Sequence, residues 1–327
     1  MAKIILKNMN KDYLITCAFT SFNAEDTIEK ALYSATNQTY HNIEILVVDD
    51  HSYDDTLLKI KKFSKENKIK IRIFQNVRNM GVAHSRNKCI DNAEGEFICF
   101  FDDDDVSSFN RIEKQLESLK NHEKMILNGN INKSPLCFAD RKIHYSKNKN
   151  LYCKGMSTDK LENYKDEYIN ALLSAGPFPK SGVLGSTATC TLFARKSTFI
   201  KVDMFNETLR RCEDLEISIR ALKKGISLIS NTNILVNQYY TNTEDKFNSH
   251  LYELKVIELN KSWLKKRNLY EYSILYTKLR HAFLRFEVLK FNMIFFKLIY
   301  KFPLRFIKNL ISSAQTVLFS LLHKIYI

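Results

Sequence analysis

The stretch Ala93–Asp105 reads AEGEFICFFDDDD, in which the apolar segment Glu96–Phe101 runs directly into four consecutive aspartates. The apolar segment is typical of a buried strand, which would bring all four carboxylates to its end. Neighbouring carboxylates repel one another, and a divalent cation bound between them would offset that cost. The stretch therefore predicts a metal site at a sheet edge, and a metal at that edge indicates bound phosphate.

The residues on either side of this stretch alternate between strand and helix patterns. Apolar residues at i, i+3, i+4 and i+7 from Ile28 to Ala35 predict one helix, and Gly81 and Gly95 bracket another. The predicted strands are Tyr13–Phe19, Ile43–Val48, Ile69–Phe74 and Glu96–Phe101. This alternation of strands and helices predicts an α/β fold with a mainly parallel, doubly wound sheet and flanking helices.

Polar clusters follow three of these four strands, at Thr20–Asn23, Asp49–Asp50 and Asp102–Asp105. In parallel sheets of this kind, ligands bind beyond the carboxyl ends of the strands. The three clusters together therefore predict one ligand-binding edge. Further along, Glu213–Lys224 is a predicted helix that ends at Gly225, and Ser181–Phe193 leads from small residues into an apolar strand.

Composition limits the class of protein. The 327 residues are 45% apolar and 26% charged, which is ordinary for a globular chain. The seven cysteines are scattered without a CxxC pair, which favours free thiols in a reducing compartment, and hence a cytoplasmic protein. Residues 251–327 hold 14 Lys or Arg against 4 Asp or Glu, a net charge of +10 out of +14 for the whole chain.

Five linked motifs carry a resemblance to family-2 glycosyltransferases, which have the nucleotide-sugar-binding fold called GT-A. They read TSFN (20–23), NQTYHNIEILVVDDHSYDDT (37–56), NMGVAHSRNKCI (79–90), AEGEFICFFDDDD (93–105) and CEDLEISIRALKKG (212–225). The resemblance covers roughly residues 12–240. It implies a catalytic domain over 1–245, with a nucleotide-binding half (1–120) and an acceptor half (121–245), followed by a helical extension over 246–327.

The resemblance assigns the aspartate run to the family's DxD region, where carboxylates hold Mg²⁺ or Mn²⁺ against the donor diphosphate. Asp102 and Asp104 match the pair, with Asp104 the preferred metal ligand, Asp102 a metal and donor ligand, and Asp103 a ribose or sugar contact. The alternative for Asp105 is a cap on the following helix. A histidine ligand expected in the family falls at Thr241 or Asn242 here. His250 is the nearest substitute, and a surface histidine is its alternative.

The resemblance also implies contacts to the nucleotide. Asp50 matches the aspartate that accepts a hydrogen bond from the base, and a carboxylate suits the ring N–H of uracil, so a UDP-sugar is the expected donor. Thr20 and Asn23 match the loop that lies against the nucleoside. Arg86 is placed to face the nucleotide or pyrophosphate, with a surface arginine as the alternative.

Glu213 and Asp214 resemble the family's ED motif. Asp214 matches the general base that takes a proton from the acceptor hydroxyl, and Glu213 orients the acceptor or the local backbone. Without the resemblance, both could be acids at a helix N-terminus. A base facing a donor site implies a single displacement, with inversion at the sugar carbon.

The basic tail from Leu251 predicts amphipathic helices, interrupted at Pro303. The five cations Lys290, Lys297, Lys301, Arg305 and Lys308 share one side of a helical wheel. We interpret the tail as lying on an anionic membrane surface, at the inner face of the cell membrane. The alternatives are helices packed on the catalytic domain and a homodimer contact. Nucleic-acid binding is not expected.

The leading hypothesis is a metal-dependent hexosyl- or N-acetylhexosaminyl-transferase that acts on a cell-surface glycan, of the capsule or lipopolysaccharide type, or on a lipid-linked acceptor. A second hypothesis is a non-catalytic subunit that binds sugar nucleotides. A third is a nucleotidyltransferase, although the first loop lacks the Gly-rich phosphate cradle that this chemistry uses.

Overall fold

The computed structural model describes residues 12–126, 128–146, 149–158, 161–177, 179, 185–240 and 249–322, with the backbone alone at 249 and 313–322. The strands are β1 (Ile15–Ser21), β2 (Ile43–Asp49), β3 (Ile71–Gln75), β4 (Phe97–Asp102), β5 (Val106–Ser107), β6 (Leu136–Ser146), β7 (Lys149–Cys153), β8 (Phe193–Arg195) and β9 (Leu228–Tyr239). The helices are α1 (Ile28–Thr36), α2 (Thr56–Glu66), α3 (Val82–Asn92), α4 (Arg111–Met125), α5 (Leu161–Leu172), α6 (Lys196–Lys201), α7 (Glu213–Lys223), α8 (Ser249–Leu259), α9 (Lys261–Lys265), α10 (Tyr270–Leu284), α11 (Val288–Lys301) and α12 (Pro303–Leu322).

The first four strands form the parallel half of the sheet, as the sequence predicts. They lie in the order β3-β2-β1-β4, and each neighbouring pair is parallel. Apolar clusters cover both faces, one containing Ile28, Ala31 and Leu32 of α1 and the other containing Ala83 and Ile90 of α3. The doubly wound arrangement is therefore confirmed for residues 12–102.

The second half of the sheet is mixed. It continues from β4 through β8, β6 and β9 to β5, with β7 on the side of β6. β8 is antiparallel to β4, whereas β6 and β9 pair in parallel over most of their length. The stretch Ser181–Phe193, predicted to lead from small residues into an apolar strand, reaches a strand only at its last residue. A 3₁₀ turn occupies Thr189–Thr191, the strand begins only at Phe193, and residues 181–184 lie outside the described residues.

One glycine fixes the approach of β4 to β1. A Cβ added at Gly95 would lie 2.6 Å from the backbone nitrogen of Thr16. No side chain fits there, so the chain can enter β4 in register with β1 only because residue 95 is glycine.

The tail consists of helices and divides into two parts. Val256 and Ile257 of α8, with Leu264 and Leu269, join the larger apolar core beneath the sheet. Helices α10 to α12 pack around a smaller cluster of their own, which contains Tyr272, Leu275, Leu279, Leu298 and Phe306. The break at Pro303 is confirmed, since α11 ends at Lys301 and α12 begins at Pro303. In the part of the chain that the structure describes, no helix has the length and apolarity needed to cross a membrane.

Candidate active site

A cleft of about 350 Å³ opens at the carboxyl ends of the parallel strands, where the sequence predicts ligand binding. Its lining comes from the ends of β1, β2 and β4 and from the starts of α3 and α7. The lining residues are Thr20, Ser21, Phe22, Asp50, Asn79, Gly81, Val82, Ser85, Arg86, Asp102, Asp103, Asp104, Arg210, Arg211 and Glu213. The fold thus brings together most of the predicted site residues, whereas Asn23, Asp214 and His250 are not among the lining residues.

Asp103 and Asp105 have separate surroundings. The Asp103 carboxylate accepts a hydrogen bond from the backbone N–H of Phe22 at 2.9 Å, which ties the aspartate run to the loop after β1. Burial and the charge of Asp104 raise the pKa of Asp103 well above its ordinary value. Asp105 is buried, and its Oδ1 accepts from the backbone N–H of Tyr239 at 3.2 Å. The cap interpretation of Asp105 is wrong, because Asn110 occupies the N-cap of α4.

The carboxylates suit a hard divalent cation. Asp102 and Asp104 line the cleft with the oxygen ligands that Mg²⁺ and Mn²⁺ prefer. Asp102 and Asp105 also offer ligand atoms within 4.8 Å of one another and of the Cys190 sulfur. Burial and the charge of Asp105 raise the pKa of the Cys190 thiol well above its ordinary value. The protonated thiol is a poor ligand for such a cation, so the acids alone fit it.

Arg86 connects the aspartate run to the ED motif. Its Nη2 donates to Asp102 Oδ1 at 3.2 Å, and its Nη1 donates to Glu213 Oε1 at 2.5 Å. Arg86 is only 5% exposed, so the alternative interpretation as a surface arginine is wrong. A guanidinium can hold two carboxylates at once because its donors form a planar fork.

Asp50 holds the entry to α3. Its Oδ1 accepts from the Asn76 side chain at 2.7 Å and from the Met80 N–H at 2.8 Å, and its Oδ2 accepts from the Gly81 N–H at 2.8 Å. Oδ1 already accepts two hydrogen bonds, whereas Oδ2 accepts one and has a second lone pair, so Oδ2 leaves capacity for a ligand in the cleft. The side-chain oxygen of Asn23 accepts from the Tyr53 N–H at 2.9 Å instead, which closes the first loop.

Glu213 and Asp214 open α7 after a residue in a left-handed conformation, Cys212, with φ of 61°. Such a backbone is costly for a residue other than glycine and is common at functional sites. The Asp214 Oδ1 accepts from the Leu215 N–H at 2.7 Å. Burial, and then the charge of Glu213, raises the pKa of Asp214 from 3.8 to about 7. A carboxyl group with this pKa can take up and release a proton near neutral pH.

Three arginines at the site were missed by sequence reasoning. Arg210 and Arg211 line the cleft, and their position directly before the CED motif was the available signal. Arg141 lies on β6. Burial lowers its pKa, but nearby groups, including Asp214 and Asp105, raise it above the ordinary value. No periodic pattern marks Arg141, because β6 is defined by pairing with β9, nearly 100 residues later.

The predicted histidine ligand is not placed beside the aspartates. Thr241 and Asn242 lie outside the described residues. His250 is on α8 with its Nδ1 3.0 Å from Arg285 Nη2, and its ring centroid is 5.1 Å from that of His281 on α10. The described cluster of candidate metal ligands does not include His250.

The parallel sheet with a carboxylate-lined cleft at its strand ends defines the class as a doubly wound α/β protein with a cleft at the carboxyl ends of its strands. The family model for Glycosyl transferase family 2 matches residues 16–176. Residues 16–176, just under half of the chain, form a family-2 glycosyltransferase domain. The crystal structure of S. aureus TarS has a TM-score of 0.51 at 21% identity, over 74% of this chain and 39% of TarS. This likeness confirms the GT-A fold, followed by C-terminal helices.

Curated relatives come from bacteria. The UDP-Glc:alpha-D-GlcNAc-diphosphoundecaprenol beta-1,3-glucosyltransferase WfgD of Escherichia coli is 36% identical over 142 residues, which cover 42% of this chain and 55% of WfgD. The amylovoran biosynthesis glycosyltransferase AmsB of Erwinia amylovora is 24% identical over 83% of this chain and 85% of AmsB. The chain spans about half the length of the first curated relatives it matches.

Proposed function

We propose that this chain transfers a sugar from a UDP-sugar to a hydroxyl of a bacterial surface glycan or its lipid-linked precursor, with inversion and a divalent metal. The observation that carries the proposal is the bridge at Arg86. It joins a carboxylate of the predicted donor site, Asp102, to a carboxylate of the ED motif, Glu213. In the proposed arrangement, the donor diphosphate lies on the Asp102 side of the Arg86 guanidinium and the base Asp214 lies on the Glu213 side.

In the proposed reaction, Asp214 accepts the proton of the acceptor hydroxyl as that oxygen forms its bond to the anomeric carbon. The bond from the anomeric carbon to the diphosphate oxygen breaks, and the nucleoside diphosphate leaves with the electron pair. Attack from the face opposite the leaving group inverts the configuration. Glu213, held by Arg86, keeps the first turn of α7 in place beside the cleft.

Asp102 and Asp104 are the residues that would hold the cation. When bound, such a cation supplies positive charge that stabilises the leaving diphosphate. Arg210 and Arg211 line the same cleft and add positive charge from the protein itself. In this proposal, Asp50 accepts a hydrogen bond from the ring N–H of uracil. It also keeps its hydrogen bonds to the residues at the start of α3.

The proposed acceptor class draws on the relatives. The name of WfgD specifies a GlcNAc-diphosphoundecaprenol acceptor, and that of AmsB specifies amylovoran biosynthesis. A lipid-linked acceptor would require the enzyme to work at a membrane surface.

The exposed face of α11 supports that location. Leu289, Met293, Phe296 and Tyr300 are exposed and spaced four, three and four residues apart, so they form one stripe along the helix. Exposed lysines follow three of these residues directly, at 290, 297 and 301. An apolar stripe edged by cations fits the headgroup region of an anionic bilayer. We therefore place the protein at the inner membrane surface as a peripheral protein.

The test is nucleoside diphosphate release by the full chain, measured over a panel of UDP- and GDP-sugars with Mg²⁺ or Mn²⁺. Asp104→Ala and Asp214→Asn should each reduce transfer at least a thousandfold. Asp91→Asn, an exposed residue near the end of α3, is the matched control and should leave transfer unchanged.

The other outcomes separate the alternatives. Donor binding without turnover would favour the non-catalytic subunit, and release of pyrophosphate would favour a nucleotidyltransferase. Full transfer by Asp214→Asn would contradict its assignment as the base.

A further inference from the structure

The face of the sheet that carries Arg141 continues outward from the candidate active site. Side chains alternate along a strand, so Arg141 and Ile143 of β6 share one face, and a bulge in the pairing with β7 lies between His144 and Ser146, at Tyr145. β9 pairs in parallel with β6, with Arg141 opposite Val236 and Ile143 opposite Gln238. Neighbouring positions of paired strands face the same side of the sheet. The face is therefore continuous across both strands.

The inner end of this face is buried. The Arg141 Nε and Nη1 atoms are buried and have no hydrogen-bond partner among the described residues. The outer part of β9 contacts the aspartate run directly, because the backbone N–H of Tyr239 donates to Asp105 Oδ1 at 3.2 Å. A glycan bound at Tyr240, the next residue of the chain, would therefore lie beside the aspartate run.

The outer end is an exposed aromatic pair. The Tyr145 and Tyr240 rings lie 4.9 Å apart between centroids with an interplanar angle of 34°. Tyr145 is 40% exposed and Tyr240 is 45% exposed. The Lys149 ammonium lies 5.8 Å from the Tyr145 centroid. Tyr145 is four residues from Arg141, or about 13 Å along an extended strand, which is longer than one sugar ring.

Half-exposed tyrosine rings suit the C–H faces of sugars. One side of a pyranose ring presents C–H groups that pack on an aromatic face, while the sugar hydroxyls stay in water. A tyrosine offers an apolar ring with a polar tip, which matches that division. The pair also lies beside the aspartate run, since Tyr240 directly follows Tyr239, whose N–H donates to Asp105 Oδ1. A patch for an unrelated partner would not need this position.

We propose that Tyr145 and Tyr240 form an acceptor subsite that stacks on a sugar of the growing glycan, at least one residue away from the sugar that is glycosylated. The inference rests on the proposed transfer reaction and specifies its acceptor as an oligosaccharide. The enzyme would then extend an existing chain in preference to a single sugar.

The test measures binding of defined trisaccharides to the full chain by saturation-transfer NMR and titration. The probes are trisaccharides of glucose, galactose and N-acetylglucosamine, with the matching monosaccharides for comparison. Tyr145→Ala and Tyr240→Ala should each raise the Kd of the best trisaccharide about tenfold and leave monosaccharide binding unchanged. Tyr145→Trp should retain trisaccharide binding, because the stacking surface is kept.

The matched control is Tyr152→Ala. Tyr152 pairs with Lys142 across β6 and β7, so it lies on the opposite face, and it has a similar exposure and its own lysine contact. This variant should bind the trisaccharides like wild type. Equal weakening by Tyr152→Ala, unchanged binding by Tyr145→Ala and Tyr240→Ala, or no trisaccharide binding to wild type would each overturn the subsite.

Donor turnover is followed separately. UDP release with water as the acceptor should be the same in wild type and all three alanine variants. Normal UDP release, with trisaccharide binding that does not depend on the Tyr145 and Tyr240 rings, would contradict the subsite but not the transfer reaction. Trisaccharide binding that depends on these rings, without UDP release from any donor, would instead contradict the transfer reaction.

Discussion

Arg86 shows how one buried residue can decide the arrangement of a whole site. Its guanidinium is shared between Asp102 at the end of β4 and Glu213 at the start of α7, which are 111 positions apart in the chain. Both carboxylates are partly or fully removed from water, so each needs a charged partner. The sequence motif predicted an arginine near the donor. Its double contact could not be predicted, because it depends on how α3 and α7 meet across the sheet.

The Arg86–Glu213 pair should show strong energetic coupling. We expect Arg86→Met alone to lower the free energy of unfolding by about 3 kcal/mol, because it leaves buried carboxylates without their cation. The double variant with Glu213→Gln should lose much less than the sum of the two single losses. Urea unfolding of the four proteins of the cycle measures this, and additive losses would contradict the pairing.

Asp214 should give the enzyme a characteristic pH profile. Its pKa of about 7 means that the carboxylate form needed for the base accumulates as pH rises through neutrality. The kcat/KM for transfer should therefore rise tenfold per pH unit below about 7 and level off above it. A profile already flat from pH 5 to pH 8 would contradict Asp214 as the base.

The same raised pKa should reduce stability. Because the folded-state pKa lies above the unfolded value of 3.8, the stability of the folded protein falls as pH rises from about 4 to about 7. At pH 8 the cost is on the order of 4 kcal/mol. Asp214→Asn should therefore have a higher melting temperature than wild type at pH 8, with a smaller difference at pH 4. Glu207→Gln, an exposed carboxylate, should not show this pattern.

At the scale of elements, the parallel half of the fold could be predicted and the mixed half could not. Strands β1 to β4 are short apolar runs with helices between them, and this alternation is the pattern of a parallel sheet. Strands β6 and β8 join the sheet through partners far along the chain, and β8 has only three residues. The same contrast holds for the site. Asp50 and Asp102 follow predictable strands, whereas the position of Arg141 depends on long-range pairing.

The ion pair between Arg195 of β8 and Glu123 of α4 helps hold this second half. Arg195 Nε and Nη2 donate to the two Glu123 oxygens at 2.5 and 2.8 Å, and Arg195 also pairs with Glu96. Burial opposes ionisation, but hydrogen bonds from Arg195 and Lys120 lower the pKa of Glu123 to about 2. The stability from this pair is present above pH 4.5 and is lost as pH falls towards 2.

Glu123→Gln should therefore lower the free energy of unfolding by about 3 kcal/mol at pH 7, with the difference shrinking as pH approaches 2. Glu117→Gln on the same helix is the control. Its carboxylate pairs with Lys114 at 3.5 Å with both side chains exposed, so its loss should cost less than about 0.5 kcal/mol. Urea unfolding at pH 7 and pH 3 compares the two, and equal effects would contradict a special role for the buried pair.

At the scale of the whole molecule, the tail gives the protein two unlike surfaces. The cleft is lined by acids and arginines, whereas α11 presents an apolar stripe that no described residue covers. Helices α10 to α12 share their own small cluster, so their packing does not require the stripe. Beyond Glu287 the chain has no acidic residue, and although Lys290 pairs with Glu287 and Lys301 with Glu271, the charge beside the stripe is mainly positive. A stripe of this kind that stayed in water would favour self-association or surface binding.

Replacing Leu289, Met293 and Phe296 with serine should remove membrane binding. We expect the full chain to float with vesicles that contain phosphatidylglycerol and to partition less as salt increases, since the lysines contribute through screened attraction. The triple variant should partition roughly a hundredfold less, because three exposed apolar side chains no longer enter the bilayer.

Serine at Tyr33, Leu58 and Ile200, which are also exposed but lie on other helices, should leave flotation unchanged. Equal flotation of the two triple variants would contradict the membrane assignment. Wild type that sediments as a dimer, with a monomeric α11 variant and no vesicle binding by either, would assign the stripe to a second copy of the chain instead.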